Sequence, residues 1–136
     1  MPSWIEFHDS TLEAVCAEPT GVAIRLRAYV HEWKLVAGRW QGSGWSQPVV
    51  MRVQGAVSGG APEAPVELGS GWVRVGSTMH DGIIPLPFAS TERATVWLQT
   101  AMAEVLELGG TGLDIEATGA AKFIEVLPDD MNPFSD

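Results

Sequence analysis

A chain of 136 residues with 46% apolar and 18% charged side chains and a net charge of −9 has the size of one domain and the apolar content of a folded core. This composition excludes an intrinsically disordered chain. The acidity, with no basic cluster to offset it, argues against nucleic acid as a partner.

No run of about 18 apolar residues occurs, and the N-terminus lacks a basic start followed by an apolar run. We therefore expect a cytoplasmic protein that does not bind membranes. A lone cysteine excludes an internal disulfide and a cysteine metal site. The charge is uneven: residues 1–93 carry 7 basic and 9 acidic side chains, and residues 94–136 carry 1 and 8. A basic protein partner could be steered by this acidity.

The first elements predicted along the chain form a β-hairpin. A short apolar opening at 4–7 leads into the polar His8-Asp9-Ser10, where we expect Asp9 or Ser10 to accept backbone N–H bonds. A strand at 11–17 and a Pro-Gly turn at 18–21 precede a long alternating strand at 21–33. The strand's inward face is predicted to carry Val22, Ile24, Leu26, Ala28 and Val30, and its outward face Arg25, Arg27, Tyr29, His31 and Trp33.

The alternation weakens over 34–44, where three glycines predict a loop or irregular edge. It returns over 45–57, in a strand that should begin after Pro48 or lie at an edge, because proline cannot donate to a ladder. A surface loop is predicted at 58–65, a strand at 71–78 and an extended edge segment at 83–88. For 90–108 the β-rich composition favours a strand, although helical spacing is also present.

The last predicted elements are two short strands at 113–118 and 122–127, separated by a glycine turn. The whole pattern indicates an all-β, single-domain antiparallel β-sandwich or small barrel of about seven to nine strands. At most one short helix is expected, and its candidate range is 90–108. The domain should span 1–128, followed by a polar C-terminal tail at 129–136.

The three histidines each precede a carboxylate, in His8-Asp9, His31-Glu32 and His80-Asp81. Three imidazoles can hold a divalent metal, and such a site would make the protein a metal-dependent enzyme. No His-x-His or His-Glu-x-x-His motif brings them together. The alternative is that His8, His31 and His80 are separate loop or surface residues, with no cofactor.

The outward row of the long strand is the main candidate binding surface. Arg, Tyr and Trp side chains dominate binding hot spots, so Arg25, Arg27, Tyr29, His31 and Trp33 would suit recognition of a ligand or another protein. The alternative is an ordinary outer sheet face with cross-strand pairing.

Tryptophan is abundant, with six in the chain. Trp33, Trp40 and Trp45 flank one segment and could form an aromatic platform for a sugar, which makes carbohydrate binding a further hypothesis. Large aromatic side chains also serve as core residues or loop anchors in small β-proteins.

The segment Trp4-Ile-Glu-Phe-His-Asp-Ser-Thr-Leu-Glu-Ala-Val15, followed by a glycine and a long alternating strand, resembles the opening of several small uncharacterised bacterial β-proteins. Some of those resemble immunity proteins, which neutralise a toxin by binding it. The resemblance covers about the first 33 residues, and His8 and Asp9 would carry over. It implies a binding or unknown role and not an activity. Our leading expectation is a non-catalytic binding protein that acts on another protein.

Overall fold

The computed structural model describes residues 2–134, which form one antiparallel sheet of 11 strands. The strands are β1 (Ser3–Glu18), β2 (Gly21–Val36), β3 (Arg39–Gln54), β4 (Val66–Val75), β5 (Thr78–Asp81), β6 (Ile83–Pro85), β7 (Phe88–Ser90), β8 (Ala94–Thr100), β9 (Val105–Gly110), β10 (Gly112–Ala117) and β11 (Lys122–Leu127). The all-β prediction is confirmed, although the strand count exceeds the expected seven to nine.

The sheet order is β7-β10-β3-β2-β1-β4-β8-β9, with β11 on β3, β5 on β4 and β6 on β1. Within residues 2–134 the only helical element is a single 3₁₀ turn at Asp129–Met131. The candidate helix at 90–108 is instead the pair β8 and β9. In β8 every second residue, from Ala94 to Thr100, is buried, which is the period of a strand with one face on the core. None of the described helical structure is long and apolar enough to cross a membrane.

The predicted alternation of β2 is confirmed. Its inward side chains join a single buried cluster with apolar residues of β1, β3, β4, β8, β9 and β10. Ile24 and Leu26 are at most 1% exposed, whereas Arg25 and Arg27 face solvent. The hairpin predicted at 18–21 also forms, with Glu18 opposite Gly21.

The loop predicted at 34–44 was wrong. β2 continues to Val36, and a two-residue turn at Ala37 (φ 50°) and Gly38 (φ 79°) leads directly into β3, as in a tight hairpin with positive φ at both turn positions. The other two glycines lie within β3. Side-chain rings of β2 lie across their backbone, that of Trp33 over Gly42 and that of Tyr29 over Gly44. Glycine in a strand can therefore indicate close approach of a neighbour rather than a loop.

The expectation for Pro48 was also wrong, because β3 runs through it as an inner strand. β10 pairs with β3 from Val49 to Gln54, and β11 pairs with it from Gly42 to Ser46. Pro48 lies in the gap between these two ladders, where its carbonyl accepts the Thr118 N–H at 2.9 Å. The missing proline N–H therefore falls where no strand needs it.

β9, the last strand in the sheet order, ends beside the inner strand β3. The Thr111 N–H, just after β9, donates to the Gln54 carbonyl at the end of β3 over 2.8 Å. A Cβ at Gly110 would collide with that same carbonyl oxygen. The end of β9 is thereby held beside the end of β3, next to the shared core.

β1 contains a bulge that positions its polar residues. The β1–β2 register jumps from Glu6↔Tyr29 to Thr11↔Arg27. Within the bulge the Ser10 hydroxyl donates to the Glu6 carbonyl (2.7 Å) and accepts the Tyr29 N–H (3.0 Å). Ser10 thus has the backbone-accepting role that we expected of Asp9 or Ser10, while Asp9 remains exposed.

Candidate functional site

The outward face of β1, β2, β3 and β11 carries the candidate site. Directly opposed residues share a face in an antiparallel ladder, and two rows of partners cross the sheet here. One row joins Glu6, Tyr29, Ser46 and Lys122, and the other joins Trp4, His31, Gly44 and Glu125.

Two adjoining concavities lie on this face, and we call them together the outer groove. The first, of about 330 Å³, is lined by Trp4, Glu6, His8, His31, Trp33, Gly82, Ile83, Met131 and Pro133. The second, of about 470 Å³, is lined by Glu6, Asp9, Tyr29, Glu125, Leu127 and Met131. Glu6 and Met131 line both, so the two cavities adjoin at these residues.

His31 and Glu6 are in hydrogen-bond contact on the floor of the outer groove. His31 Nε2 lies 2.5 Å from Glu6 Oε2, and the two side chains are 12% and 22% exposed. The imidazole also meets the Tyr29 ring edge-on, with centroids 5.2 Å apart. These contacts fix the imidazole and orient one carboxylate oxygen, so the floor is preorganised before any ligand arrives.

Tyr29 lies beside the carboxylate of Glu125. Burial raises the pKa of Tyr29 to about 12, with further contributions from the charge of Glu125, a hydrogen bond to Glu125 and the charges of Glu6 and Asp9. The phenol therefore stays protonated through the neutral range and can donate to a carboxylate or a ligand.

We expect the tyrosinate absorbance of the native protein to appear with a midpoint near pH 12 rather than 10. Tyr29 is the chain's only tyrosine, so the titration reports this one group. Because the folded-state pKa is raised, its contribution to stability is complete below pH 10 and is lost as the pH rises through 12. Glu125→Gln should lower the midpoint, and an unchanged midpoint in that variant would contradict the assigned role of Glu125.

The outer groove is acidic and aromatic. Its lining includes the carboxylates of Glu6, Asp9 and Glu125 and the indoles of Trp4 and Trp33, and no lysine or arginine is among the described residues that line it. Carboxylates beside aromatic faces are the groups that bind ammonium and guanidinium ions.

The structure separates the predicted binding row into two parts. Tyr29, His31 and Trp33 lie at the outer groove, whereas Arg25 and Arg27 lie farther along β2, facing solvent. Arg27 is 3.5 Å from Glu13 in an exposed pair. Trp33 was predicted to be an accessible recognition residue, but it is only 1% exposed, because its ring packs on Gly42 at the bottom of the first cavity.

The three histidines have separate surroundings. His8 lies at the rim of the outer groove, where its Nδ1 is 3.1 Å from the Gly69 carbonyl oxygen. His31 pairs with Glu6, and His80 on β5 packs against Phe88. In residues 2–134 no three His, Cys, Asp or Glu side chains lie close enough together to hold a metal ion. The three imidazoles of the alternative metal-enzyme hypothesis therefore do not converge.

The three tryptophans of the predicted sugar platform do not share one exposed surface. Trp33 is buried, and Trp40 stacks on Phe134 with ring centroids 4.1 Å apart. Trp45 pairs with inward-facing Val30 and meets Phe123, on the other face of the sheet.

The C-terminal wall of the groove was not predicted from the sequence. Residues 129–134, predicted to belong to a polar tail, cross the outward face, and Met131 and Pro133 line the first cavity. Phe134 contacts both Trp40 and Trp4. The signal for this packing was compositional: two large apolar residues, Met131 and Phe134, occur in an otherwise polar stretch. Residues 135–136 of the predicted tail lie outside the described residues.

No family model, curated protein or solved structure matches this chain.

Proposed function

We propose that the protein is a non-catalytic binding protein, and that the outer groove receives a basic side chain of a partner protein. The observation that carries the proposal is the lining of the groove: three carboxylates and the half-buried indole of Trp4 surround a depression with no lysine or arginine in its described lining. A guanidinium or ammonium group would find both charge and aromatic faces there.

The charge of the whole chain supports the same partner. A net charge of −9 attracts a basic protein over a distance, and the groove then selects one of its side chains. The immunity-like resemblance of the first 33 residues fits a role of this kind, because His8 and Asp9 of that segment line the rim of the groove.

We also infer a partly open barrel as the finer architecture. The hydrogen bond from Thr111 to Gln54 and the single core cluster support this form over two separate sheets. The outer groove then lies on the convex side of the barrel wall, accessible to a macromolecule.

The proposal predicts that a short oligo-arginine peptide binds and changes the tryptophan fluorescence, since Trp4 and Trp33 line the groove. The double variant Glu6→Gln, Glu125→Gln should weaken binding by about tenfold or more, because it removes two of the three carboxylates that attract the peptide. Isothermal titration of peptide into each protein, at two salt concentrations, measures the difference.

The matched control is Glu104→Gln with Glu107→Gln, which makes the same change in net charge at two exposed positions remote from the groove. Binding that falls equally in both double variants would indicate general charge attraction and overturn the proposal. An oligo-glutamate peptide of equal length should give no response.

A further inference from the structure

β11 is an edge strand with an unusual surface. It pairs with β3 on one side and with no other strand of residues 2–134, so one row of its backbone N–H and C=O groups is available for pairing. Three of its apolar side chains are exposed: Phe123 (51%), Ile124 (47%) and Val126 (74%). An exposed apolar edge is a template for another strand unless charge, proline or shape prevents pairing.

The charges of β11 favour pairing with a copy of itself. Lys122 is the only basic residue of 94–136, and it lies three positions before Glu125 on the same strand. A bulge between Phe123 and Glu125 brings both exposed side chains to the outward face, opposite Ser46 and Gly44 respectively. By contrast β9, the edge strand at the far end of the sheet, carries Glu107 and no basic residue.

One antiparallel register between two copies of β11 matches charged residues with opposite charges and apolar residues with apolar ones. If Lys122 lies opposite Glu125 of a second copy, two-fold symmetry also places Phe123 opposite Ile124 and Val126 opposite Ala121. Both charges are then paired and the apolar residues meet apolar residues.

The neighbouring registers are less favourable. A shift of one residue places Glu125 opposite Ala121 or opposite Phe123, and Lys122 opposite Ile124 or Val126, which leaves both charged groups facing apolar side chains. Because register in a sheet is set by which side chains meet, the sequence of β11 selects the first arrangement.

We propose that β11 joins two copies of this chain into a symmetric dimer, with Lys122 of each copy paired to Glu125 of the other and the sheet continuing across the junction. The interface is isologous and closed, as in most soluble homo-oligomers. Because Glu125 also lines the outer groove whereas Lys122 does not, Lys122→Glu is the variant that tests the dimer apart from the groove.

The test exchanges the two charges. Wild-type protein should sediment at twice the 14.6 kDa mass of the chain as concentration rises. Lys122→Glu and Glu125→Lys should each weaken dimerisation by about tenfold, since each places like charges opposite one another twice per dimer. The double exchange Lys122→Glu, Glu125→Lys should restore the wild-type dissociation constant.

Sedimentation equilibrium measures all four proteins, and circular dichroism verifies that each is folded. Glu107→Lys on β9 is the matched control and should leave dimerisation unchanged. A wild-type protein that remains at 14.6 kDa at every concentration would overturn the proposal, and so would a double exchange that dimerises no better than the single variants. In either case the oligo-arginine experiment would still test the groove.

Discussion

Replacing Trp33 by alanine is expected to lower the free energy of unfolding by about 3–5 kcal/mol, the range for deletion of a large buried aromatic side chain. Trp33 is 1% exposed, and its removal would leave a void between Gly42 and the residues that line the first cavity. Urea unfolding followed by circular dichroism measures the change. The matched variant Trp72→Ala removes a half-buried indole stacked on Trp97 and should cost under about 2 kcal/mol.

A second pair of variants keeps this prediction falsifiable if Trp33→Ala unfolds. A Cβ at Gly42 would lie 2.6 Å from a ring carbon of Trp33, so Gly42→Ala should cost about 1–3 kcal/mol in the native protein. In a Trp33→Phe background the smaller ring should reduce that cost. Equal costs in the two backgrounds would show that the Trp33 ring does not lie over Gly42.

Gly110→Ala is expected to destabilise the protein by about 3 kcal/mol, at the upper end for overpacking. The added methyl group would collide with the backbone oxygen of Gln54 and lie 2.8 Å from Val53 Cγ1, and a backbone atom cannot move aside as a flexible side chain can. Unfolding in urea, compared with the wild-type protein, tests this value.

The neighbouring Gly109 provides the control, because a Cβ there would have no neighbour within 4 Å. Gly109→Ala should change stability by less than about 0.5 kcal/mol. If the two alanine variants unfold alike, the contact between the end of β9 and the end of β3 is not as described.

The part of the fold that sequence could predict is the part with a period of two. β2 alternates cleanly because one face is buried and the other is not, and β8 follows the same rule. The segment 34–44 escaped prediction because Gly42 and Gly44 are required by the rings of Trp33 and Tyr29, a contact between strands that one strand's sequence does not reveal. The prediction for Pro48 was wrong for a similar reason. The two strands that pair with this side of β3, β10 and β11, leave a gap at Pro48, and the sequence of β3 alone does not show it.

The candidate site was half predictable. Tyr29, His31 and Trp33 share a face by alternation alone, so their grouping followed from the sequence. The positions of Glu6 and Glu125 beside them could not be predicted. These two residues come from strands whose register with β2 is set by a bulge and by the β3 pairing. The C-terminal wall was missed because Met131 and Phe134 lie in an acidic stretch that gives no periodic signal.

β10 and β11 pair with separate stretches of β3. The two strands contribute differently to the core. β10 contributes Leu113 and Ile115 to the core, whereas β11 buries only Leu127, which lies outside that cluster. Substitutions in β11 can therefore accumulate at little cost to folding. A lineage carrying this fold is free to alter what it recognises while its interior stays the same.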